Sequence, residues 1–231
     1  MTDAFVFPPP PHPAVAVAGE SRRFPVRRIF CVALNYADHA REMGKDPGAE
    51  PPFFFTKPAD AVVADGAAIP FPTLTDDLHH EIELVAALKS GGENIDPARA
   101  LDCVYGYAAG IDLTRRDLQS AARKAGRPWD MSKGFDNSAP IGAIRKAAEI
   151  GHPASGRIAL SVNGAIRQQG DLSDMIWSLP QIIAALSTNV ALAAGDLIFT
   201  GTPSGVGAMR PGDAAEGEIA GVGSVRVTLA R

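Results

Sequence analysis

The sequence predicts one mainly β domain of the α+β class with a few short helices. Short apolar, β-favouring runs recur along the chain between Gly, Pro and Asn turn signals. Segments with helical composition and capping signals are few and brief, and no segment repeats. With 231 residues, 46% of them hydrophobic, the chain is long enough to bury one sizeable core.

Taken in order, residues 1–24 read as an extended Pro-rich lead, because Pro8 to Pro11 and Pro13 forbid a regular helix or a central strand. The compact domain then spans 25–231. RRIFCVALNY reads as a strand, and YADHAREMG as a short helix ending at Gly44, a residue suited to the left-handed position past a helix end. Lys45 to Pro52 hold a glycine and three prolines and read as a loop before the apolar strand PFFFTKP. HHEIELVAAL is a strand, and Asp96-Pro97 opens a short helix with a capping residue and a proline at its first position. CVYGYAAGID is the next strand. Thr114 and Asp117 form a capping-box-like start for a helix that Gly126 and Pro128 end. RIALSV, Asn163-Gly164 and AIRQQ predict a hairpin, since Asn-Gly suits the two positive φ angles of a type I′ turn. Ser178 and Gln181 cap the helix LPQIIAALS, and the last strand alternates Val225, Val227 and Leu229 inward.

Composition narrows the function. The 22 basic and 26 acidic residues form no block of like charge, so nothing is built to neutralise a phosphate backbone and no nucleic-acid partner is expected. Apolar runs such as Ile182 to Leu186 are far short of a membrane span. The first residues carry Asp3 and a run of prolines where an export signal needs a basic and then an apolar stretch. Cys31 and Cys103 lie in apolar strands as small buried hydrophobes, and a soluble protein of the reducing cytoplasm is expected.

The chemistry starts with Glu81 and Glu83. Two residues apart on a strand, they leave the same face, and like charges held together call for a positive partner such as a divalent cation. A solvated acidic edge strand has the same pattern. Asp112 follows an apolar strand at its junction with a helix, as a ligand or a helix cap would. Three carboxylates without cysteine are hard oxygen ligands suited to Mg²⁺ or Mn²⁺, with Ca²⁺ also compatible. His39 and Glu42 share a helix face, so the carboxylate can orient the imidazole for deprotonating water; a solvated surface pair has that spacing too. His79 and His80 point to opposite strand faces, so at most one lies beside the glutamates. TGTPSGVG lacks the Gly-Lys-Ser/Thr ending of a phosphate loop; its glycines would let backbone approach a small ligand, with Thr202 as a hydroxyl donor.

Together, NYADHAREMG, PFFFTKPADA, HHEIELVAAL, YGYAAGIDLTRRDLQ, RPWDMSKGFDNSAPIG, SVNGAIRQQGDLSDMIW and DLIFTGTPSGVG resemble the fumarylacetoacetate hydrolase family from about Arg28 to the C-terminus. The resemblance implies a mixed β-sandwich roll, a homodimer, a metal held by Glu81, Glu83 and Asp112, and a lid helix carrying His39 and Glu42. It also implies an active-site lysine at Lys133, substrate-lining residues at Arg116 and Gln119, and the glycine-rich-loop threonine at Thr202. Within the family, DLHHEIEL, DLTRRDLQ and DMIWSLPQII are most similar to fumarylpyruvate hydrolases of aromatic-acid (gentisate-type) catabolism. Ala33 departs from the pattern, which usually has glycine ahead of its Asn-Tyr, and a methyl group there is expected to shift the lid.

The implied activity is hydrolysis of a carbon-carbon bond in a small 2,4-dioxo acid, with Lys133 and Gln119 stabilising the oxyanion and Arg116 or Lys133 meeting a distal carboxylate. Cleavage of another acylpyruvate, decarboxylation of oxaloacetate, and a non-catalytic metal- or ligand-binding β-domain are the competing readings.

Overall fold

The computed structural model describes residues 5–44, 46 and 51–230, so most of the Lys45–Pro52 loop and the first four residues fall outside the described residues. A large mixed sheet runs in the order Phe53–Lys57, Arg28–Ala33, Asp196–Phe199, Ile82–Leu88, Val104–Ile111, Ala139–Ile141, Val62–Ala64. A second sheet runs Ala165–Asp171, Arg157–Val162, Ala214–Ile219, Gly223–Leu229, Ala67–Ile69. The two pack as a sandwich around a core that includes Leu84, Ile111, Ile158, Leu160, Val225 and Val227.

The central strand Ile82–Leu88 shows how the sequence produces this architecture. All seven residues are buried, because both faces are covered. Ile82, Leu84, Ala86 and Leu88 face the inter-sheet core, while Val85 and Ala87 face a second core with Cys31, Ala108 and Phe199. Glu83 belongs to the second series, as does Glu81 by the period of two. The outer side of that second core is closed by Val15, Val17, Phe24 and Val26. Val15 and Phe24 lie in a two-stranded ribbon, Ala14–Ala16 with Arg23–Pro25, and Val17 and Val26 directly follow its strands, so the Pro-rich lead joins the packed body well before residue 25. Its alternating apolar residues drive that docking, a pattern the prolines before it obscure.

The α-helices are short: α1 (Ala37–Glu42), α2 (Arg116–Lys124), α3 (Asp130–Lys133), α4 (Ala147–Ile150) and α5 (Leu179–Ser187). Asp96 caps the 3-10 turn Pro97–Cys103 by accepting from Ala98 N. Gln181 Oε1 accepts from Ser178 N at the start of α5. Asn163 and Gly164 both adopt positive φ between Arg157–Val162 and Ala165–Asp171, as the hairpin requires. The α2 start differs from expectation. Thr114 and Arg115 pair with Leu78–His80 as a short strand, the helix begins at Arg116, and Asp117 accepts from Thr75 Oγ1 and Asp76 N instead. Sheet pairing takes Thr114 out of reach of the cap. Among the described residues no helix is long and apolar enough to cross a membrane.

Candidate active site

At Glu81 the chain passes from one sheet to another: Leu78–His80 pairs with Gly207–Met209, and Ile82–Leu88 enters the large sheet. Ile82 pairs with Ile111, and Asp112 N donates to Glu81 O at 2.8 Å, so Asp112 stands across the ladder from Glu81. Glu83 is opposite Gly110, two residues along the same face. One carboxylate oxygen from each of Glu81, Glu83 and Asp112 lies within 4.8 Å of the others, and all three residues are buried. The solvated-edge and helix-cap alternatives are thereby removed.

Buried carboxylates need compensation. Lys133 Nζ donates to Glu81 Oε2 (2.7 Å), Asp112 Oδ2 (2.6 Å) and Thr114 Oγ1 (2.7 Å). Arg116 pairs with Glu81 Oε1. Lys57 Nζ lies 2.8 Å from Asp112 Oδ1 but outside hydrogen-bond geometry, donating instead to Leu113 O and Lys133 O. Asp112 Oδ1 is consequently a buried oxygen without a hydrogen-bond donor. Burial pushes the Glu83 carboxyl well up, and the Asp112 and Glu81 charges add to this. For Glu81 burial acts in the same upward direction, but Lys133 and Arg116 outweigh it and hold the group down. Burial likewise opposes the charge on Lys133, and Asp112 and Glu81 overcome it to raise its pKa. A convergent, oxygen-only donor set with an orphaned Asp112 oxygen and a Glu83 that is reluctant to ionise fits one hard divalent cation such as Mg²⁺ or Mn²⁺.

The remaining residues surround a cavity of about 260 Å³ that the carboxylates floor. Arg116 Nη1 donates to Gln119 Oε1 at 2.5 Å, one helical turn on, which engages the amide oxygen and leaves the nitrogen as the donor Gln119 can offer in the cavity it lines. Arg116 Nε also reaches His79 Nδ1, whose other nitrogen meets Asp77. His79 therefore supports Arg116 from behind. His80 points the other way, and its Nδ1 lies 2.9 Å from Gln168 Oε1. Ile82 N donates to that same oxygen, which leaves Gln168 Nε2 donating to Thr202 Oγ1 (2.8 Å) and Pro203 O (2.9 Å). With its oxygen accepting from Gln168, the Thr202 hydroxyl hydrogen is free to turn toward the cavity it lines.

The helix α1 borders the cavity from the other side. His39 is buried, and its Nδ1 is 3.0 Å from Glu42 Oε2. Glu42 Oε1 in turn accepts from Gly205 N (3.3 Å) in the glycine-rich loop. The segment before α1 is fixed by Asn35, whose Nδ2 donates to Trp177 O and Thr200 O and whose Oδ1 accepts from Trp177 N. Gly201, at φ 98°, donates its N–H to Glu83 Oε2 at 2.7 Å, and a Cβ there would sit 2.6 Å from Asn35 Cβ. Ala33 ends a regular strand, and the left-handed residue is its neighbour Leu34, at φ 56°.

All nine sequence-derived candidates thus belong to this locality: seven line the cavity, Asp112 completes its floor and Glu42 braces His39. Sequence reasoning missed Lys57, Gln168, Arg123 and the wall of Phe53, Phe55 and Trp129. A lysine inside the apolar strand PFFFTKP was a usable signal for Lys57, and the seven-residue spacing from Arg116 was one for Arg123. Gln168 carries none, since its role exists only through partners from three other segments.

A family model described as fumarylacetoacetate (FAA) hydrolase C-terminal matches residues 28–230. Fumarylpyruvate hydrolase from Pseudomonas aeruginosa, solved in complex with Mn²⁺ and pyruvate, is 48% identical, with a TM-score of 0.95 over 98% of this chain and 99% of that one. A protein from Burkholderia cenocepacia, provisionally named a fumarylpyruvate hydrolase, is 56% identical, with a TM-score of 0.93 over 99% of both chains. The mitochondrial oxaloacetate tautomerase of Rattus norvegicus is 42% identical over 89% of this chain and 92% of its own length. The mitochondrial oxaloacetate decarboxylase of Dictyostelium discoideum is 40% identical over 85% and 90%.

Proposed function

The chain belongs to the fumarylacetoacetate hydrolase C-terminal family, and on that premise we propose that it hydrolyses fumarylpyruvate to fumarate and pyruvate with a divalent cation. The carrying observation is the convergence of a buried carboxylate triad and a His39–Glu42 pair on one cavity. The cavity is lined by an aromatic wall of Phe53, Phe55 and Trp129 as well as by the carboxylates. Relatives named for fumarylpyruvate hydrolysis match the whole chain, including the N-terminal ribbon.

Glu81, Glu83 and Asp112 would hold the cation, which when bound supplies positive charge against the oxygens of the 2-oxo acid end. His39, held through Nδ1 by Glu42, takes a proton from water at its other nitrogen. The water oxygen attacks the carbonyl of the fumaroyl group, and the Gln119 amide donates to the oxyanion that forms. The bond from that carbon to the methylene then breaks, its electron pair passing to the pyruvate half, which is protonated at carbon. Lys133 contributes differently from the expectation of an oxyanion donor. Its three N–H groups are already committed to Glu81, Asp112 and Thr114, so it holds the carboxylates together. The His39–Glu42–Gly205 contacts tie α1 to the glycine-rich loop, the attachment a lid helix would use.

Oxaloacetate tautomerisation or decarboxylation is the second reading, favoured by relatives at 40–42% identity. Purified protein with Mn²⁺ should turn over fumarylpyruvate with the highest kcat/KM among fumarylpyruvate, acetylpyruvate and oxaloacetate. Faster conversion of oxaloacetate would establish the second reading, and turnover of none would leave a binding domain. Homodimerisation and a cytoplasmic setting are proposed with this reading, and sedimentation would test the former.

A further inference from the structure

Building on the hydrolase reading, we propose that Arg123 recognises the distal carboxylate of a dicarboxylic substrate and so sets the acyl-group preference. Three cations line the cavity among the described residues: Arg116, Lys133 and Arg123. The first two are buried in ion pairs with the carboxylate floor, Arg116 with Glu81 and Lys133 with Glu81 and Asp112, and Arg116 also donates to Gln119. Lys133 has no N–H left, and Arg116 has three of its five committed, with both terminal nitrogens and Nε engaged at the floor end of the cavity. Among the described residues Arg123 pairs with no acidic group, and the hydrogen bond its side chain makes there is a long one, from Nη2 to Met43 O at 3.4 Å.

Its position suits the task. Arg116, Gln119, Ser120 and Arg123 all line the cavity and recur at helical spacing, so one face of α2 forms a side of the site from floor to mouth. From Arg116 to Arg123 that face climbs about 10 Å. An extended seven-carbon dioxo diacid spans roughly 8 Å between its terminal carboxyl carbons, from standard bond lengths. With its 2-oxo acid end on the floor, its far carboxylate arrives beside the Arg123 guanidinium. Between the two ends the wall is aromatic: Trp129 lies 5.3 Å from Phe53 and 5.8 Å from Phe55, ring centre to ring centre. The rings meet edge-to-face and tilted, at 77° and 57°, and offer an apolar wall with ring faces and edges for the uncharged enone between the two carboxylates. The Met43 contact adds a consequence, since a carboxylate on Arg123 is then held next to the end of α1, the helix that carries His39.

The test compares Arg123→Gln and Arg123→Lys with wild type, Mn²⁺-loaded, on fumarylpyruvate and acetylpyruvate, which lacks the distal carboxylate. The ratio of kcat/KM for the first over the second should fall about tenfold in the Gln variant, the scale of one solvent-accessible charge-assisted hydrogen bond. The Lys variant should recover part of that ratio. An unchanged ratio, whether or not both rates fall together, would overturn the inference and leave Arg123 as a brace for α1. If wild type turns over neither compound, the hydrolase reading itself fails, a result distinct from an unchanged ratio in an active enzyme.

Discussion

The two sides of the cavity are built differently. The floor lies on paired strands, and its carboxylates are tied to buried Lys57, Lys133 and Arg116 from three other segments. The opposite side is α1, six residues in which only His39 and Ala40 are buried, joined to the glycine-rich loop by the 3.3 Å contact of Glu42. A helix that short has little stability of its own and depends on what it touches. On the proposed mechanism, the groups that need a fixed geometry sit on the rigid element, and the group that would move a proton sits on the one with few buried residues.

That contrast can be broken at several points. Stripping divalent cations should abolish turnover, with Mn²⁺ restoring it, and Glu83→Gln should weaken Mn²⁺ binding by more than about a hundredfold in calorimetry. Full activity after verified metal removal would contradict the role given to the floor. On the other side, His39→Ala should lower kcat by about 10² to 10⁴ while Mn²⁺ affinity and melting temperature stay at wild-type values. A parallel loss of Mn²⁺ affinity would show that the two sides are not separable.

Stability should report the floor alone. Lys57→Met leaves the Asp112 charge buried with one fewer cation, and denaturant unfolding without metal should show a loss of about 3 to 5 kcal/mol. A change near zero would mean that water compensates Asp112. The smallest effect is expected at Ala33. Because Ala33 ends a regular strand and the left-handed turn falls on Leu34, Ala33→Gly should change turnover by less than about twofold. A larger gain would restore the idea that this methyl group displaces the lid.

What could be read without the structure was whatever a local period or a short motif encodes. The alternation of Val225, Val227 and Leu229, the Asn163-Gly164 turn, the shared face of Glu81 and Glu83, and the one-turn spacing of His39 and Glu42 are consequences of strand and helix geometry. Asp112 and Thr202 stood out as candidates from their positions after an apolar strand and in a glycine-rich segment, and motif order along the chain then supplied the family and, with it, Lys133, Arg116 and Gln119. Tertiary structure decided everything that depends on partners distant in sequence. Thr114 was lost as a helix cap because Leu78–His80 claims it as a strand, and the N-terminal ribbon joined the body because a sheet face needed covering. Lys133 proved to be saturated by two carboxylates and a hydroxyl, while Arg123 was left facing the cavity. Residue type fixes how many hydrogen bonds a side chain can make, but only the folded neighbourhood determines which of them are already taken.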